Sequence, residues 1–333
     1  MRRLLLLAAL ALAGCATPSA GTATFANPVI DADFPDPAVL KAPDGYYYVY
    51  GTQTERSGTR VNIQAARSRD LAHWEVLADA LPVKPAWASR TWDFWAPHVV
   101  RREGRYFLYF SAKPDAALSD DKQGLCLAVA TSTRPEGPFS DMGHPLQCGE
   151  SFVNIDPMNF DDPATGKRLL YWGSGFQPIK VRELARDGMS FAPGSNARDL
   201  LAPMKGGSYE QLVEGPWVLR RGGWYYLFYS GDNCCGEHAH YAVMVARSRS
   251  ATGPFEKKGA PVLAARGRWI APGHNSVIED AAGQSWIVYH AVDARRPGEP
   301  ANTRRVMLID RIVWRDGWPE IAGPTDGAQA VPR

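Results

Sequence analysis

The sequence has no block of like charge, no low-complexity segment and no apolar run long enough to cross a bilayer, which takes about 20 residues. Without a charge block there is no tail for nucleic acid, and without biased segments there is no case for disorder. Cysteine is sparse, with five in 333 residues and no Cys-x-x-Cys spacing to suggest a metal ribbon. Aromatic and turn-forming residues are plentiful: Trp 11, Tyr 13, Phe 12, Gly 31 and Pro 26. That mixture fits many short β-strands separated by frequent turns.

The one apolar run lies at the start. "MRRLLLLAALALAGCA" has two Arg, an apolar stretch and then small residues, the pattern of a signal peptide over residues 1–14. "LAGC", ending at Cys15, resembles a bacterial lipoprotein cleavage box. It implies acylation of Cys15 and a lipidated tether over residues 15–26. The residue after Cys15 is Ala16 rather than Asp, which by the same resemblance implies outer-membrane sorting; the expectation is an exported protein, a periplasmic or outer-membrane lipoprotein of a Gram-negative bacterium. Removing residues 1–14 leaves 35 Lys and Arg against 35 Asp and Glu, so the mature chain has no electrostatic footprint for nucleic acid. Four Cys remain besides Cys15, and export permits disulfides. They allow three connectivities among which the sequence does not choose; Cys126–Cys148 is the first to look for.

A repeat organises the rest. Gly-led aromatic runs begin at Gly45 (GYYYVYGT), Gly104 (GRYFLYFSA), Gly166 (GKRLLYWGSG), Gly223 (GWYYLFYSG) and Gly283 (GQSWIVYHA), at intervals of 59, 62, 57 and 60 residues. Two copies also share a Ser-x4-Gly-Pro-Phe ending, at Ser132 and Ser248. Each copy reads as a turn into a β-strand. A sixty-residue unit cannot bury both faces alone, whereas several stacked around an axis can. The expectation is an all-β, five-bladed β-propeller in a single domain over residues 27–322, with a C-terminal tail at 323–333. A β-sandwich or jelly roll would not explain the even period.

Eight to ten residues before each repeat Gly stands a short polar or small group: Asp36, Ala96, Asp156, Glu214 and His274. Equivalent places in successive blades face one shared axis, so three carboxylates should converge there. Clustered carboxylates repel and raise one another's pKa. A raised carboxyl can then donate a proton while its ionised neighbour accepts one, the split that glycoside hydrolysis needs. Cation binding, or simple capping of strand starts, are the competing uses of such a ring.

These segments resemble glycoside hydrolase family 43, from about Asn27 to Glu320. "NPVIDADFPDPAVL" is similar to the first-blade motif, which implies that Asp36 is the general base. "NIDPMNFDD" implies that Asp156 tunes and orients the acid, and "EGPWVLRRGGWYYLFYS" implies that Glu214 is the general acid. "APGHNSVI" implies that His274 reaches an ion at the propeller centre, Ca²⁺ in many relatives, with no organic cofactor. The resemblance favours inversion, because the related retaining propellers carry Glu-Cys and Asn-Asp-Pro where this chain has Glu-Gly-Pro and Pro-Asp-Pro. An inverting pair leaves room for water, with carboxyls about 6.5–9.5 Å apart.

Trp95 in the axial ring is a candidate to stack on sugar, Trp92 and Phe94 to form a rim, and Arg305 to reach a sugar hydroxyl. His98 follows the ring position and has no assigned direction. The segment from Ser230 to Phe255 resembles that of the family's arabinanases. It implies α-L-arabinosyl linkages of plant cell-wall polysaccharide as substrate, with β-xylosidase as the enzymatic alternative and a non-catalytic sugar-binding lipoprotein as the alternative of another class.

Overall fold

The computed structural model describes residues 23–120 and 122–333. The expected signal peptide, Cys15 and the tether up to residue 22 lie outside them. Five antiparallel sheets of four or five strands are the blades, and two further two-stranded pairs, one of them Thr54–Arg56 with Thr59–Val61, lie outside them. Blade one is built from Ala38–Lys41, Tyr47–Gly51, Gln64–Ser68 and Glu75–Val76. Blade two has Phe94–Arg102, Arg105–Ala112, Cys126–Ser132 and Ser140–Asp141, with Gln147–Cys148 also paired to its third strand. Met158–Asp161, Arg168–Trp172, Ile179–Leu184 and Arg198–Leu201 make blade three. Blade four consists of Val213–Arg221, Trp224–Gly231, Ala242–Ser248 and Glu256–Lys257. Blade five consists of Trp269–Glu279, Ser285–Asp293, Arg305–Arg315 and Trp318–Ile321. The five-bladed expectation is met, and each repeat Gly leads into the second strand of its blade.

The aromatic runs are continuous rather than alternating because both faces of every second strand are buried. Successive side chains point to opposite faces. Tyr48 and Tyr50 enter the core shared with blade two, whereas Tyr47 and Val49 enter the core shared with blade five. Leu108 and Phe110 face blade one, and Phe107 and Tyr109 face blade three. Five apolar clusters result, one between each pair of neighbouring blades.

The ring closes through its ends. The Asn27 side chain donates to the Ile309 carbonyl and accepts from its N–H, both at 3.0 Å. Thr24–Phe25 pairs with Gln329–Ala330. The propeller therefore begins before residue 27 and ends after 322. Residues assigned from sequence to the tether and the tail form its clasp. Cys126 and Cys148 are directly opposite in register and bonded, Cα to Cα 4.0 Å. Cys234 and Cys235 are bonded to each other.

Candidate active site

Each innermost strand makes the same kink on its way to the axis. Asp36, Ala96, Asp156, Gly215 and His274 all have left-handed backbone, with φ of 58°, 48°, 58°, 60° and 44°. Four are non-Gly residues in a conformation that costs of order 1–3 kcal/mol and persists only where surroundings impose it. The kink N–H is held by an acceptor from another blade in four cases. Ala96 donates to Thr52 Oγ1 at 2.8 Å, Gly215 to Asp156 Oδ2 at 2.9 Å, His274 to Ser230 Oγ at 2.7 Å and Asp36 to His290 Nδ1 at 3.0 Å.

This corrects the sequence alignment of the blades in one place. The fourth kink residue is Gly215, not Glu214. Glu214 stands one residue earlier, paired with Ser230, as Trp95 pairs with Ser111 and Gly273 with His290. The missing side chain at Gly273 matters. A Cβ there would lie 2.1 Å from a ring carbon of Tyr241, whose hydroxyl donates to Glu214 Oε1 at 2.7 Å.

Asp36, Asp156 and Glu214 line one hollow of about 450 Å³, together with Trp95, His274 and Arg305. Thr52, Phe152 and the bonded Cys234–Cys235 pair complete much of its wall. A hollow of similar size at the far ends of the innermost strands is lined by Glu279 and Asp280 together with three basic residues, Lys41, Arg220 and Arg221.

The three carboxyls differ in charge because their neighbours differ. Burial alone would raise Asp36, but the Arg305 guanidinium 3.4 Å from Oδ1 holds it well below the usual carboxylate range. His274 and His290 lie 3.4 and 3.3 Å from the same oxygen. Burial pushes both imidazoles down, His290 to about 4, so at pH 7 they are neutral and Arg305 is the charge that counts. Thr52 donates its hydroxyl to Asp36 Oδ2. Asp156 and Glu214 are both pushed up, first by burial and then by carboxylate repulsion; Glu214 reaches about 7 against the hydroxyl of Tyr241, which lowers it. Two raised carboxyls titrate as a pair. At neutral pH the pair keeps a proton while Asp36 has none.

The expected rim is only partly present. Trp95 and Arg305 line the hollow. Phe94 does not: it is fully buried in the core between blades one and two, because it is one residue out of phase with Trp95 on the same strand. Trp92 is exposed, but Arg60 and Lys84 lie over its ring at 4.2 and 3.2 Å, and it stands outside the hollow. His98 is buried, accepts the Asn159 N–H at 3.2 Å and meets the Trp217 ring edge-on. Sequence reading missed Tyr241, His290, Thr52 and Phe152. Thr52 and His290 had a signal, since each stands seven residues after its repeat Gly.

His274 lies between the hollow and a small axial space beneath it, which Asn275 also lines. Both amide atoms of Asn275 are buried without a partner among the described residues. No three His, Cys, Asp or Glu side chains gather as metal ligands among the described residues. A hard cation takes six to eight oxygens. The space beneath has a volume of only about 10 Å³, room for little more than one water, so a cation that keeps most of its water would fit only on the hollow side of the neutral His274 imidazole, its protein ligand.

The sequence profile of Glycosyl hydrolases family 43 matches residues 25–319. The β-D-galactofuranosidase XynD of Aspergillus niger is 31% identical over 312 residues, covering 87% of this chain and 82% of the relative. The extracellular endo-α-(1→5)-L-arabinanase 1 of Bacillus subtilis is 29% identical over 302 residues, covering 85% and 86%. The crystal structure of a thermostable family-43 glycoside hydrolase superposes with a TM-score of 0.78 at 28% identity, covering 93% of this chain and 99% of that one. With a propeller of this form and a match over nearly all its length, the chain belongs to glycosyl hydrolase family 43.

Proposed function

We propose that this glycoside hydrolase cleaves α-L-arabinosyl linkages with inversion, in arabinan or in arabinose-substituted plant polysaccharide. One observation carries the mechanism: a single hollow holds Asp36 against the Arg305 guanidinium, which favours its ionised form, together with two buried carboxyls, Asp156 and Glu214, whose burial favours a retained proton. Glu214 donates its proton to the leaving glycosidic oxygen as the bond to the anomeric carbon breaks. Water adds to that carbon from the opposite side and gives its proton to Asp36. One water is consumed, and the products are a free sugar and a free hydroxyl. Asp156 holds the kink N–H next to Glu214 and, by its charge and position, keeps the acid protonated. Trp95 offers an aromatic face to the sugar.

Of the relatives above, one is named for α-(1→5)-L-arabinan and the other for a β-D-galactofuranoside. The hollow also continues past Trp95 and Phe152 into a second one of about 660 Å³, with room for further sugars of a chain. Product analysis on linear arabinan, branched arabinan and xylan tests the reading, with arabinose or arabino-oligosaccharides as the expected products. Xylose alone would replace it with a β-xylosidase. No product from any of them, nor from a galactofuranoside, would leave a sugar-binding protein.

The calcium site is a proposal on one protein ligand, His274. A cation there would add positive charge beside the carboxylates that share the hollow with His274. Dialysis against a chelator should lower activity and melting temperature together, and Ca²⁺ should restore both. Unchanged values would assign His274 to the carboxylates alone.

Export and anchoring are also proposed, from "LAGC" and from a disulfide at Cys126–Cys148 that suits an oxidising compartment. Stable anchoring takes two or more acyl chains. Cys15→Ser should move the protein from the detergent phase to the aqueous phase without loss of fold. Wild-type protein already in the aqueous phase would end the anchor reading.

A further inference from the structure

The end of each second strand carries a small hydroxyl in four blades: Thr52, Ser111, Ser174 and Ser230. Blade five has His290 instead, fully buried. Thr52 and Ser230 each accept the N–H of the next blade's kink residue. His290 does the same for blade one, and the kink residue it holds is Asp36. A backbone N–H can only donate, so in the shorter contact, 3.0 Å, Nδ1 of His290 is the acceptor and the ring proton sits on Nε2; the same nitrogen stands 3.3 Å from Asp36 Oδ1, where a proton on Nδ1 would be the donor instead. Nε2 has no partner among the described residues, so the bond to Asp36 is the one hydrogen bond the ring makes there.

An imidazole does something in this place that a hydroxyl cannot. Its ring lies nearly parallel to Tyr241, with centroids 5.8 Å apart and planes 13° apart. Tyr241 in turn donates to Glu214. Gly273, the register partner of His290, leaves the space that the Tyr241 ring fills. One side chain thus braces Asp36 directly and Glu214 through a stacked ring.

We propose that His290 is a positioning residue that locks the left-handed backbone of Asp36 and sets it in place relative to Glu214. It touches no substrate and moves no proton. The inference deepens the reading of Asp36 as the base and rests on it for its effect on rate.

Two variants separate the bond from the bulk. Asn at 290 keeps an acceptor near the Nδ1 position, whereas Leu keeps volume and removes it. His290→Leu should lower kcat by roughly 10²-fold, the cost of a misplaced catalytic group. KM should change by less than about twofold, since ground-state binding is untouched. The loss should be equal on arabino-oligosaccharide and on an aryl arabinoside, because water must be activated for both. His290→Asn should recover most of it. Asn as poor as Leu, or a loss that falls on KM, would overturn the proposal. Nitrogen-15 NMR of histidine-labelled wild type, with the His290 signals assigned by their loss in His290→Asn, reads the bond without activity. The expected state at neutral pH is the Nε2–H tautomer with Nδ1 as acceptor; an Nδ1–H tautomer or an imidazolium would overturn it even if Leu fails to fold. A correct tautomer together with full activity in His290→Leu would overturn the positioning role while leaving the base assignment to the Asp36 variant.

Discussion

Glu214→Gln lowers the rate on arabino-oligosaccharide by roughly 10²–10⁴-fold, the usual worth of a positioned general acid. The loss is smaller on an aryl arabinoside whose leaving group needs no proton. Equal losses on both would remove Glu214 from the acid role. In wild type, kcat/KM falls on the alkaline side as Glu214, raised to about 7, gives up its proton, and it holds to well below pH 4 on the acid side, because Arg305 keeps Asp36 ionised. The variant also gains stability at neutral pH. Glu214 has an ordinary pKa of 4.5 and a folded value of about 7, so between those values the folded chain holds a proton that the unfolded chain has lost. Stability from this group is fully present below pH 4.5, falls across that window and is level above it. Gln carries no such penalty, and the gain at pH 8 is on the order of 3 kcal/mol, with little gain at pH 4. Thermal melts at the two pH values read it.

Asp36→Asn has an equally large effect on rate and the opposite effect on stability. Water activation is lost whatever the leaving group, so both substrates slow by roughly 10²–10⁴-fold. Asp36 is ionised and buried against Arg305, whose side chain is itself largely buried. Removing one partner of a buried pair leaves the other charge uncompensated, at roughly 3–5 kcal/mol. The melting temperature therefore falls where that of Glu214→Gln rises. Proton NMR of the first-formed anomer in the wild-type reaction shows inversion. A retained first product would make Asp36 a nucleophile and refute its assignment as base.

The repeat was readable because it is local. Five Gly-led aromatic runs at nearly equal spacing specify five blades, whatever else the chain does, since an aromatic strand buried on both faces needs a neighbour on each side. The ring at Asp36, Asp156 and His274 was readable for the same reason: the kink recurs at a fixed distance from the repeat Gly. The bonded pair Cys126–Cys148 needed the strand register to be chosen among three connectivities.

What the sequence by itself determined is the number of blades and the set of carboxyls that meet on the axis. Three things were left to the tertiary structure. The kink put Gly215, not Glu214, in the ring, because a strand that bulges by one residue changes which side chain faces inward. The same alternation sent Phe94 into the core and left Trp95 on the wall. The division of charge, Asp36 ionised and the Asp156–Glu214 pair protonated, depends on Arg305, Tyr241 and burial, which come from blades four and five. Sequence patterns record which residues recur along the chain, whereas a pKa is set by what lies within a few ångströms in space, and only the closed propeller brings those residues that near.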